Sequence, residues 1–346
     1  MIDRTQRDEQ AVVPVADRHQ QRQFLDDLRG FLGPQLGRVE QRIQAAVATN
    51  FDFDHLSRQA AAMGGKRLRP MLVLLSAAAT GNEPRAEEER DLVSIAASVE
   101  LVHAASLVHD DVLDKAETRR HRATVLSQAG SKSAILLGDF LFTRAYAIAA
   151  ECRSTIPARQ IASAASALCV GELRQGMAAG NWSLPMAAYR QMLVQKTGSL
   201  CGTSCRLGAW RGGGSRADQR SLRRFGVLLG LAFQVFDDWL DYWGTDAAGK
   251  TLGTDLDQGK ATLPVLRYLS TRPSDSEQML ELLASQQRDK LARVLERLAQ
   301  TDAADFTLKT ARQLATRARD SISHLPGTTA RQFLQGLADF AANRQS

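Results

Sequence analysis

Residues 23–48 read QFLDDLRGFLGPQLGRVEQRIQAAVA, and apolar side chains recur in this segment every three to four positions. This spacing forms one apolar stripe along an α-helix. The residues on the stripe are Phe24, Leu28, Phe31, Leu32, Leu36 and Val39. The same pattern returns at 276–299 and 330–345, and the alternation of β-branched residues that is typical of strands is almost absent. The sequence therefore predicts an all-α fold.

The composition is that of a folded, water-soluble protein. Of the 346 residues, 44% are hydrophobic and 24% are charged, and the formal net charge is +6. These values exclude disorder as the overall state, while so mild a positive charge suits nucleic acid, membrane headgroups or a phosphorylated metabolite equally well. Residues 1–20 are polar and aperiodic, which predicts a flexible tail. Residues 21–346 lack a long linker, so we expect them to form one domain.

No segment predicts export or a membrane anchor. The longest apolar run, FGVLLGLAFQVF (225–236), is shorter than the ~20 residues of a spanning helix and contains Gln234. The N-terminus lacks the apolar stretch of a secretory signal. The four cysteines lack the CxxC spacing of a metal or redox pair. We therefore expect a cytoplasmic protein with reduced thiols.

Two acidic clusters with the pattern DDxxD predict the chemistry. The first acidic trio is Asp110, Asp111 and Asp114, and the second acidic trio is Asp237, Asp238 and Asp241. In a helix the outer carboxylates of each trio lie one turn apart, and like charges so close repel unless a cation lies among them. Apolar residues flank both trios, and oxygen-only ligands suit Mg²⁺, which also binds substrate phosphates. The two trios together predict a magnesium–phosphate site.

Basic residues beside glycine-broken loops or carboxylates supply partners for phosphates. They are Lys66, Arg67 and Arg69 in GGKRLRP (64–70), Arg119 and Arg120 after the first trio, Lys196 with the Thr197 hydroxyl in QKTGSL (195–200), and Lys250 and Lys260 in 249–264. Arginine binds phosphate oxygens in a bidentate manner, whereas lysine acts as a mobile point charge. Two acidic trios with several basic clusters indicate two polyanionic substrates, one bridged by metal and one held mainly by side chains.

The ordered set of motifs resembles the trans-isoprenyl diphosphate synthases, also called polyprenyl synthetases, and is most like their long-chain members. The motifs are GGKRLRP, ELVHAASLVHDDVLD, RRHRAT, GDFLFTRA, GELRQG, QKTGSL, FQVFDDWLDYWG and DLDQGKATLP, and they span 24–346. The resemblance implies the isoprenoid synthase fold, with long, mostly antiparallel helices around a deep central cavity. It also implies that the two DDxxD helices face each other across the mouth of the cavity and that the protein is a homodimer.

The resemblance also assigns roles to individual residues. Both trios would hold about three Mg²⁺ ions on the diphosphate of an allylic substrate. The positions that match binding of this diphosphate are Arg119, Lys196, Lys250 and Lys260, while Thr197 and Gln234 match polar positions at the reacting carbon. The positions that match the isopentenyl diphosphate site are Lys66, Arg69, His103 and Arg120. The implied activity is head-to-tail prenyl transfer between these two substrates, without nucleic acid or a membrane anchor.

Four positions depart from the usual pattern of the family: His121, Ala123, Trp243 and Thr251. None of these departures removes a charged group. We therefore expect them to tune loops rather than abolish activity, with His121 placed to alter the affinity for isopentenyl diphosphate because it follows Arg120.

The resemblance also bears on the length of the product, because in this family the growing chain extends along a tunnel beside the first trio. Bulky residues five and four positions before that trio stop growth, and here these positions hold the small residues Ala105 and Ser106. The sequence therefore predicts a long all-trans product, heptaprenyl to decaprenyl, such as the octaprenyl side chain of a quinone. The tunnel could also be closed further from the first trio by a lower floor, which would stop the growing product at geranylgeranyl or farnesylgeranyl. The candidate residues for this floor are Leu101, Val102, Leu137 and Phe140.

Three other functions compete with this interpretation. A class I terpene cyclase shares the helical fold and one DDxxD motif, but the symmetric DDWLD and the GGKRLRP segment argue against it. A non-catalytic subunit of a heteromeric synthase typically lacks acidic or basic site residues, and none is lost here. A helical nucleic-acid-binding protein would leave six aspartates unexplained and would need a recognisable binding module.

Overall fold

The computed structural model describes residues 18–63, 65–82, 85–244, 252–285, 287 and 289–344, and these form helices and one short hairpin. The helices are α1 (Arg18–Val47), α2 (Asp54–Ala62), α3 (Leu68–Ala78), α4 (Ala86–Leu113), α5 (Val125–Ala150), α6 (Ile156–Met177), α7 (Met186–Leu193), α8 (Ser199–Arg211), α9 (Arg216–Trp243), α10 (Thr254–Asp257), α11 (Leu263–Thr271), α12 (Ser276–Ala284), α13 (Lys290–Leu298), α14 (Ala303–Ser321) and α15 (Thr329–Ala341). A π-helical turn, Val194–Gly198, joins α7 to α8, and a 3₁₀ turn, Pro273–Asp275, precedes α12. The predicted all-α fold is confirmed.

The apolar stripe predicted at the start of the chain faces the core. Leu28, Leu32 and Val39 of α1 are each 3% exposed or less, whereas Phe31 at the edge of the stripe is 41% exposed. Burying a leucine or valine side chain contributes about 2 kcal/mol, so the stripe holds α1 onto its neighbours. Because α1 begins at Arg18, the last residues of the predicted tail are helical, and residues 1–17 lie outside the described part of the chain.

Two long helices, α4 and α9, are the central elements, and each carries one acidic trio near its C-terminal end. α4 packs against α1, α3 and α5, while α9 packs against α8 and α14. A capping box fixes the start of α9, where Ser215 Oγ accepts a hydrogen bond from the Asp218 backbone N–H at 3.1 Å. The C-terminal end of a helix is the negative end of its dipole, so three carboxylates at such an end depend on nearby cations.

A two-stranded antiparallel hairpin follows the first trio, although the sequence predicted no strand there. Its strands are β1 (Thr118–Arg119) and β2 (Arg122–Ala123), and Arg119 pairs with Arg122. Arg120 and His121 form the turn with φ angles of 51° and 61°, which lie in the left-handed region that glycine adopts most easily. His121 is one of the four positions at which the sequence departs from the pattern of the family it resembles. The histidine keeps the turn at the cost of some backbone strain.

Within the part of the chain that the structure describes, two helices are long and apolar enough to span a membrane by length and composition, which the search for uninterrupted apolar runs did not predict. They are α4 and α5. In α4, 83% of the apolar window is buried inside the protein, which identifies it as a core helix. In α5, only 39% of the window is buried, so this helix presents an apolar face to the outside of the chain.

Candidate active site

The first acidic trio lies at the C-terminal end of α4, and its members differ in exposure. Asp110 is half-buried and Asp114 is exposed, whereas Asp111 is 1% exposed. Arg119 of β1 donates from Nε to Asp111 Oδ1 at 2.7 Å. Burial raises the pKa of Asp111, and the Arg119 guanidinium opposes that shift. The hairpin thus places Arg119, a residue that the resemblance assigns to the diphosphate site, against the trio.

Lys196 approaches the same trio from the π-helical turn. Its Nζ lies 2.9 Å from a Glu172 carboxylate oxygen and 2.8 Å from Gln175 Oε1, both in α6. Burial alone would lower the pKa of Lys196, but the Glu172 and Asp110 carboxylates outweigh burial and raise it. α6 can approach the turn because Gly171 has no side chain, since a Cβ there would lie 2.7 Å from the Lys196 backbone nitrogen. π-Helical turns frequently occur at functional sites, and this one brings a cation to the carboxylates.

The second acidic trio lies near the C-terminal end of α9, and each of its carboxylates has a different partner. Arg344, at the end of the described chain, donates to Asp237 and lies 3.4 Å over the ring of Phe233. Asp238 is 3% exposed, and its Oδ2 accepts hydrogen bonds from the Tyr189 hydroxyl at 2.6 Å and from the Leu263 backbone N–H at 3.0 Å. Asp241 is half-buried, and its Oδ2 accepts a hydrogen bond from the Asp255 backbone N–H at 3.2 Å.

Lys260 connects the two halves of the site. It follows α10, and its Nζ lies 3.4 Å from Asp114 Oδ1 of the first trio and 3.7 Å from Asp255 Oδ1. Since Asp255 also contacts Asp241 through its backbone, the segment after α9 reaches across to the end of α4. The contact places the segment after the second trio beside the first trio, in agreement with the predicted cleft between the two helix ends.

A second group of residues forms a cationic cluster, defined here as Lys66, Arg69, His103, Arg120 and Arg344. Burial lowers the pKa of Lys66, and so do the charges of Arg344 and Arg120. Burial and the neighbouring arginines, Arg69 first, also hold the pKa of His103 well below 6.5, so its imidazole is neutral at pH 7. Groups whose charges repel in this way gain stability when an anion binds among them. The cluster therefore fits a polyanion and joins four residues that the sequence assigned to isopentenyl diphosphate.

Gly65 makes room for one member of the cluster. It has a φ of 71°, and a Cβ there would lie 1.7 Å from Arg120 Nη1. Arg120 therefore lies directly over the loop, where its Nη1 donates to the Met63 carbonyl oxygen at 3.1 Å. The hairpin consequently directs two neighbouring arginines to different places, Arg119 to the first trio and Arg120 to the cationic cluster.

The remaining predicted site residues are partly placed by the structure. Thr197 Oγ1 donates to Gln234 Oε1 at 3.3 Å, which joins the π-helical turn to α9. Trp243 ends α9 with its ring 6.0 Å from that of Trp239. Lys250 and Thr251 lie outside the described residues. A cavity of about 830 Å³ between α7, α9, α11 and α14 includes Tyr189 in its wall but none of the predicted site residues.

The carboxylates fit an oxygen-liganded divalent cation. Asp111 Oδ2 is buried and has no hydrogen-bond partner among the described residues. Burial and the charge of Glu172 raise the pKa of Asp110 to about 7, so the charges of Lys196 and Arg119 compensate only in part and leave room for a bound cation. No three acidic, histidine or cysteine side chains converge in the described part of the chain. Diphosphate oxygens and water would complete a coordination sphere that each trio only begins.

The raised pKa values predict how the metal-free protein responds to pH. The carboxyls of Asp110 and Asp238 have a pKa of about 7 in the folded protein, against 3.8 ordinarily. Between these values the folded protein holds protons that the unfolded chain has released, so the free energy of unfolding falls as pH rises, by about 1 kcal/mol per unit for each carboxyl. In EDTA, urea unfolding of Asp110→Asn is expected to depend less steeply on pH between 5 and 7 than that of the wild type. Equal slopes would contradict the raised pKa of Asp110.

Sequence reasoning gave no role to four residues that the structure places at the site. They are Glu172, Gln175, Tyr189 and Arg344. The GELRQG motif contains the first two, so their spacing of three residues on α6 was a usable signal. Tyr189 and Arg344 carry no signal, because only the packing of α7 and of the chain end against α9 brings them to the second trio.

Comparison with known proteins identifies the family. The sequence profile of the polyprenyl synthetase family matches residues 52–300. An octaprenyl diphosphate synthase from Haemophilus influenzae is 32% identical over 324 residues, which cover 92% of this chain and 97% of that protein. A geranylgeranyl diphosphate synthase from Mycobacterium tuberculosis is 37% identical over 272 residues, 75% of either chain.

The fold points to the same family. The crystal structure of a polyprenyl synthase from Caulobacter crescentus, complexed with calcium and isoprenyl diphosphate, superposes with a TM-score of 0.85. It is 31% identical and covers 93% of this chain and 98% of that chain. With the profile match over most of its length and relatives above 30% identity, this chain belongs to the polyprenyl synthetase family.

Proposed function

We propose that the protein is an all-trans polyprenyl diphosphate synthase, a prenyltransferase that condenses isopentenyl diphosphate onto an allylic diphosphate and makes a long-chain product. The observation that carries this proposal is the arrangement of two acidic trios beside a separate cationic cluster. The trios suit a diphosphate bridged by divalent cations, Mg²⁺ above all and about three of them, and the cluster suits a diphosphate held without metal. Geranylgeranyl or farnesylgeranyl diphosphate is the alternative product.

The first chemical step is loss of diphosphate from the allylic substrate. Bound divalent cations supply Lewis-acid neutralisation of the diphosphate charge. Lys196, Lys260 and Arg119 lie at the first trio and would donate to the departing oxygens, which lowers the barrier to breaking the C–O bond. Glu172 and Gln175 hold the Lys196 ammonium in place, so little reorganisation is needed when the substrate arrives.

The second step is attack by isopentenyl diphosphate on the allylic carbocation. The cationic cluster would hold the diphosphate of this substrate, with neutral His103 as a hydrogen-bond donor and the arginines as bidentate ones. The oxygens of Thr197 and Gln234 would stabilise positive charge at the reacting carbon. Released diphosphate then accepts the proton, and apolar walls exclude the water that would convert the cation to an alcohol.

A product assay tests the proposal. Purified protein receives Mg²⁺, labelled isopentenyl diphosphate and, in separate reactions, dimethylallyl, geranyl, farnesyl or geranylgeranyl diphosphate. A heptaprenyl to decaprenyl product that EDTA abolishes supports both the chemistry and the chain length. A product that ends at geranylgeranyl keeps the enzyme and overturns the chain length. Incorporation from none of the primers would overturn the activity and favour a non-catalytic subunit.

The apolar outer face of two neighbouring helices supports a homodimer. Leu136 of α5 is 68% exposed, and Leu173 and Met177 of α6 are 66% and 88% exposed. These helices pack against each other, so their exposed apolar side chains form a surface that a second copy of the chain would cover. We take residues 21–346 as one domain of each copy. The four cysteines are free thiols, as expected of a cytoplasmic protein.

Leu136→Asp tests the dimer. A buried, unpaired carboxylate at an interface costs several kcal/mol, so the variant is expected to sediment as a monomer at concentrations where the wild type sediments as a dimer. Phe51→Asp is the matched control, since Phe51 is 69% exposed but lies in the loop after α1. A dimeric Leu136→Asp protein would place the interface elsewhere.

A further inference from the structure

The middle carboxylate of each acidic trio is the most buried of the three. Asp111 and Asp238 are 1% and 3% exposed, whereas Asp110, Asp237 and Asp241 are half-buried and Asp114 is exposed. The two middle residues differ in their second oxygen. Asp111 Oδ2 is buried without a partner, while Asp238 Oδ2 accepts two hydrogen bonds from the protein. An oxygen that already accepts two hydrogen bonds inside the protein has little left to offer a metal.

The two donors to Asp238 belong to elements that carry substrate-binding residues. Tyr189 lies in α7, which continues without interruption into the π-helical turn with Lys196 and Thr197. Leu263 begins α11, three residues after Lys260. Asp238 itself lies in α9, one residue after Asp237. One carboxylate therefore fastens the two segments that carry Lys196 and Lys260 to the helix of the second trio.

We propose that Asp238 is an internal anchor rather than a metal ligand and that Tyr189 is a positioning residue that acts through it. The sequence assigned all six aspartates to metal, and the anchor replaces that assignment at one position. The hydroxyl of Tyr189 fixes the distance between α7 and α9, and with it the distance from the Lys196 ammonium to the outer carboxylates. The inference rests on the proposed function because the positioned residues are those that would bind metal and diphosphate.

Ligand binding without turnover measures this role directly. Mn²⁺ bound with the unreactive farnesyl thiodiphosphate is counted by electron paramagnetic resonance in the absence of isopentenyl diphosphate. Tyr189→Phe is expected to weaken Mn²⁺ binding about 10- to 100-fold, the usual effect of losing a group that orients a metal site, without changing the number of ions bound. Unchanged affinity in this variant would overturn the positioning role.

Mn²⁺ binding by variants of two neighbouring aspartates distinguishes an internal anchor from a metal ligand. Asp237→Asn is expected to bind one Mn²⁺ ion fewer than the wild type. Asp238→Asn is expected to bind the full number of ions, because an amide oxygen can still accept both hydrogen bonds, and to bind them with reduced affinity, because a neutral oxygen accepts those bonds more weakly than a carboxylate. Loss of one ion in Asp238→Asn would show that this carboxylate is a ligand and would overturn the proposal.

A matched tyrosine controls for general loosening of the core. Tyr242 is 1% exposed, lies in the same helix as Asp238, and has its hydroxyl 2.9 Å from Thr262 Oγ1 rather than from a carboxylate. Tyr242→Phe is expected to change Mn²⁺ affinity no more than about twofold, although it also removes a buried hydrogen bond. Equal loss of affinity in both tyrosine variants would overturn the specific role of Tyr189.

A double-mutant cycle tests whether Tyr189 acts through Asp238. Adding Tyr189→Phe to Asp238→Ala, which removes the accepting oxygens, is expected to cause no further loss of affinity beyond about twofold, whereas independent effects would multiply. A wild-type protein that binds Mn²⁺ and the analogue but transfers no prenyl group would overturn the proposed function alone, since the cycle is read from binding. A wild-type protein that binds neither would overturn the anchor as well.

Discussion

Asp110→Asn is expected to lower the rate of prenyl transfer about a thousandfold, which corresponds to about 4 kcal/mol of transition-state stabilisation. Asp110 is the residue of the first trio on which the charges of Glu172, Lys196, Arg119 and Asp114 all act. An asparagine keeps the size of the side chain but removes the negative charge that would draw a divalent cation to the diphosphate. The rate is measured with saturating farnesyl diphosphate over a range of Mg²⁺ concentrations.

The form of the loss distinguishes a metal ligand from a structural residue. If Asp110 binds metal, the Mg²⁺ concentration for half-maximal rate rises together with the fall in kcat, while the metal-free variant gains free energy of unfolding between pH 5 and 7 because the asparagine releases no proton on unfolding. Asp26→Asn is the control, because Asp26 is an exposed carboxylate of α1 far along the chain from both trios. A loss of less than tenfold, with an unchanged Mg²⁺ requirement, would remove Asp110 from the site.

Much of the fold could be predicted from the sequence because the apolar residues of a helix recur with the helical period. The stripe in α1, the trios at the ends of α4 and α9, and the basic segments beside glycines are all local patterns, and local patterns need no knowledge of the tertiary structure. The trios also predicted their need for cations, and the structure places Arg119, Lys260 and Arg344 against them.

The parts that the sequence did not predict depend on contacts between distant segments. Arg344 reaches Asp237 because α15 packs against α3 and α9, and that packing is a property of the whole core. The different partners of Asp237 and Asp238 have the same origin, since only the position of α7 decides which of the two carboxylates accepts a hydrogen bond from the Tyr189 hydroxyl. The hairpin after the first trio could not be predicted from the sequence for another reason. Its turn uses left-handed backbone at Arg120 and His121, for which the sequence offers no glycine or asparagine as a signal.

Ala105→Phe is expected to shorten the product from a heptaprenyl to decaprenyl chain to one of about four isoprene units or fewer, because it adds bulk where the growing chain must pass. Ala105 and Ser106 lie on α4 about one turn before Asp110, on the buried side of the helix at 0% and 6% exposure. Leu101 and Val102 are also fully buried one further turn below, and Leu137 of α5 is 5% exposed. The products are dephosphorylated and resolved by length.

Overpacking is the competing outcome, since a phenylalanine in a closely packed core costs about 1–3 kcal/mol. Ser94→Phe controls for it, because it adds the same bulk to α4 at a half-buried position more than three turns from the first trio. If Ala105→Phe remains active and its product is short while that of Ser94→Phe is unchanged, position 105 limits chain length. An active Ala105→Phe enzyme with an unchanged product would show that the chain does not pass beside α4 at this level.

A residue at the lower floor of the tunnel provides a second test of whether the product passes position 105. Phe140 of α5 contacts Phe53 edge to face, with ring centroids 5.8 Å apart, and could end a chain that passes Ala105. If Phe140 is the floor, Phe140→Ala lengthens the wild-type product but leaves the short product of Ala105→Phe unchanged, because the inserted ring stops the chain first. Lengthening in both backgrounds would mean that the chain bypasses position 105, and the small residues there would then not explain a long product.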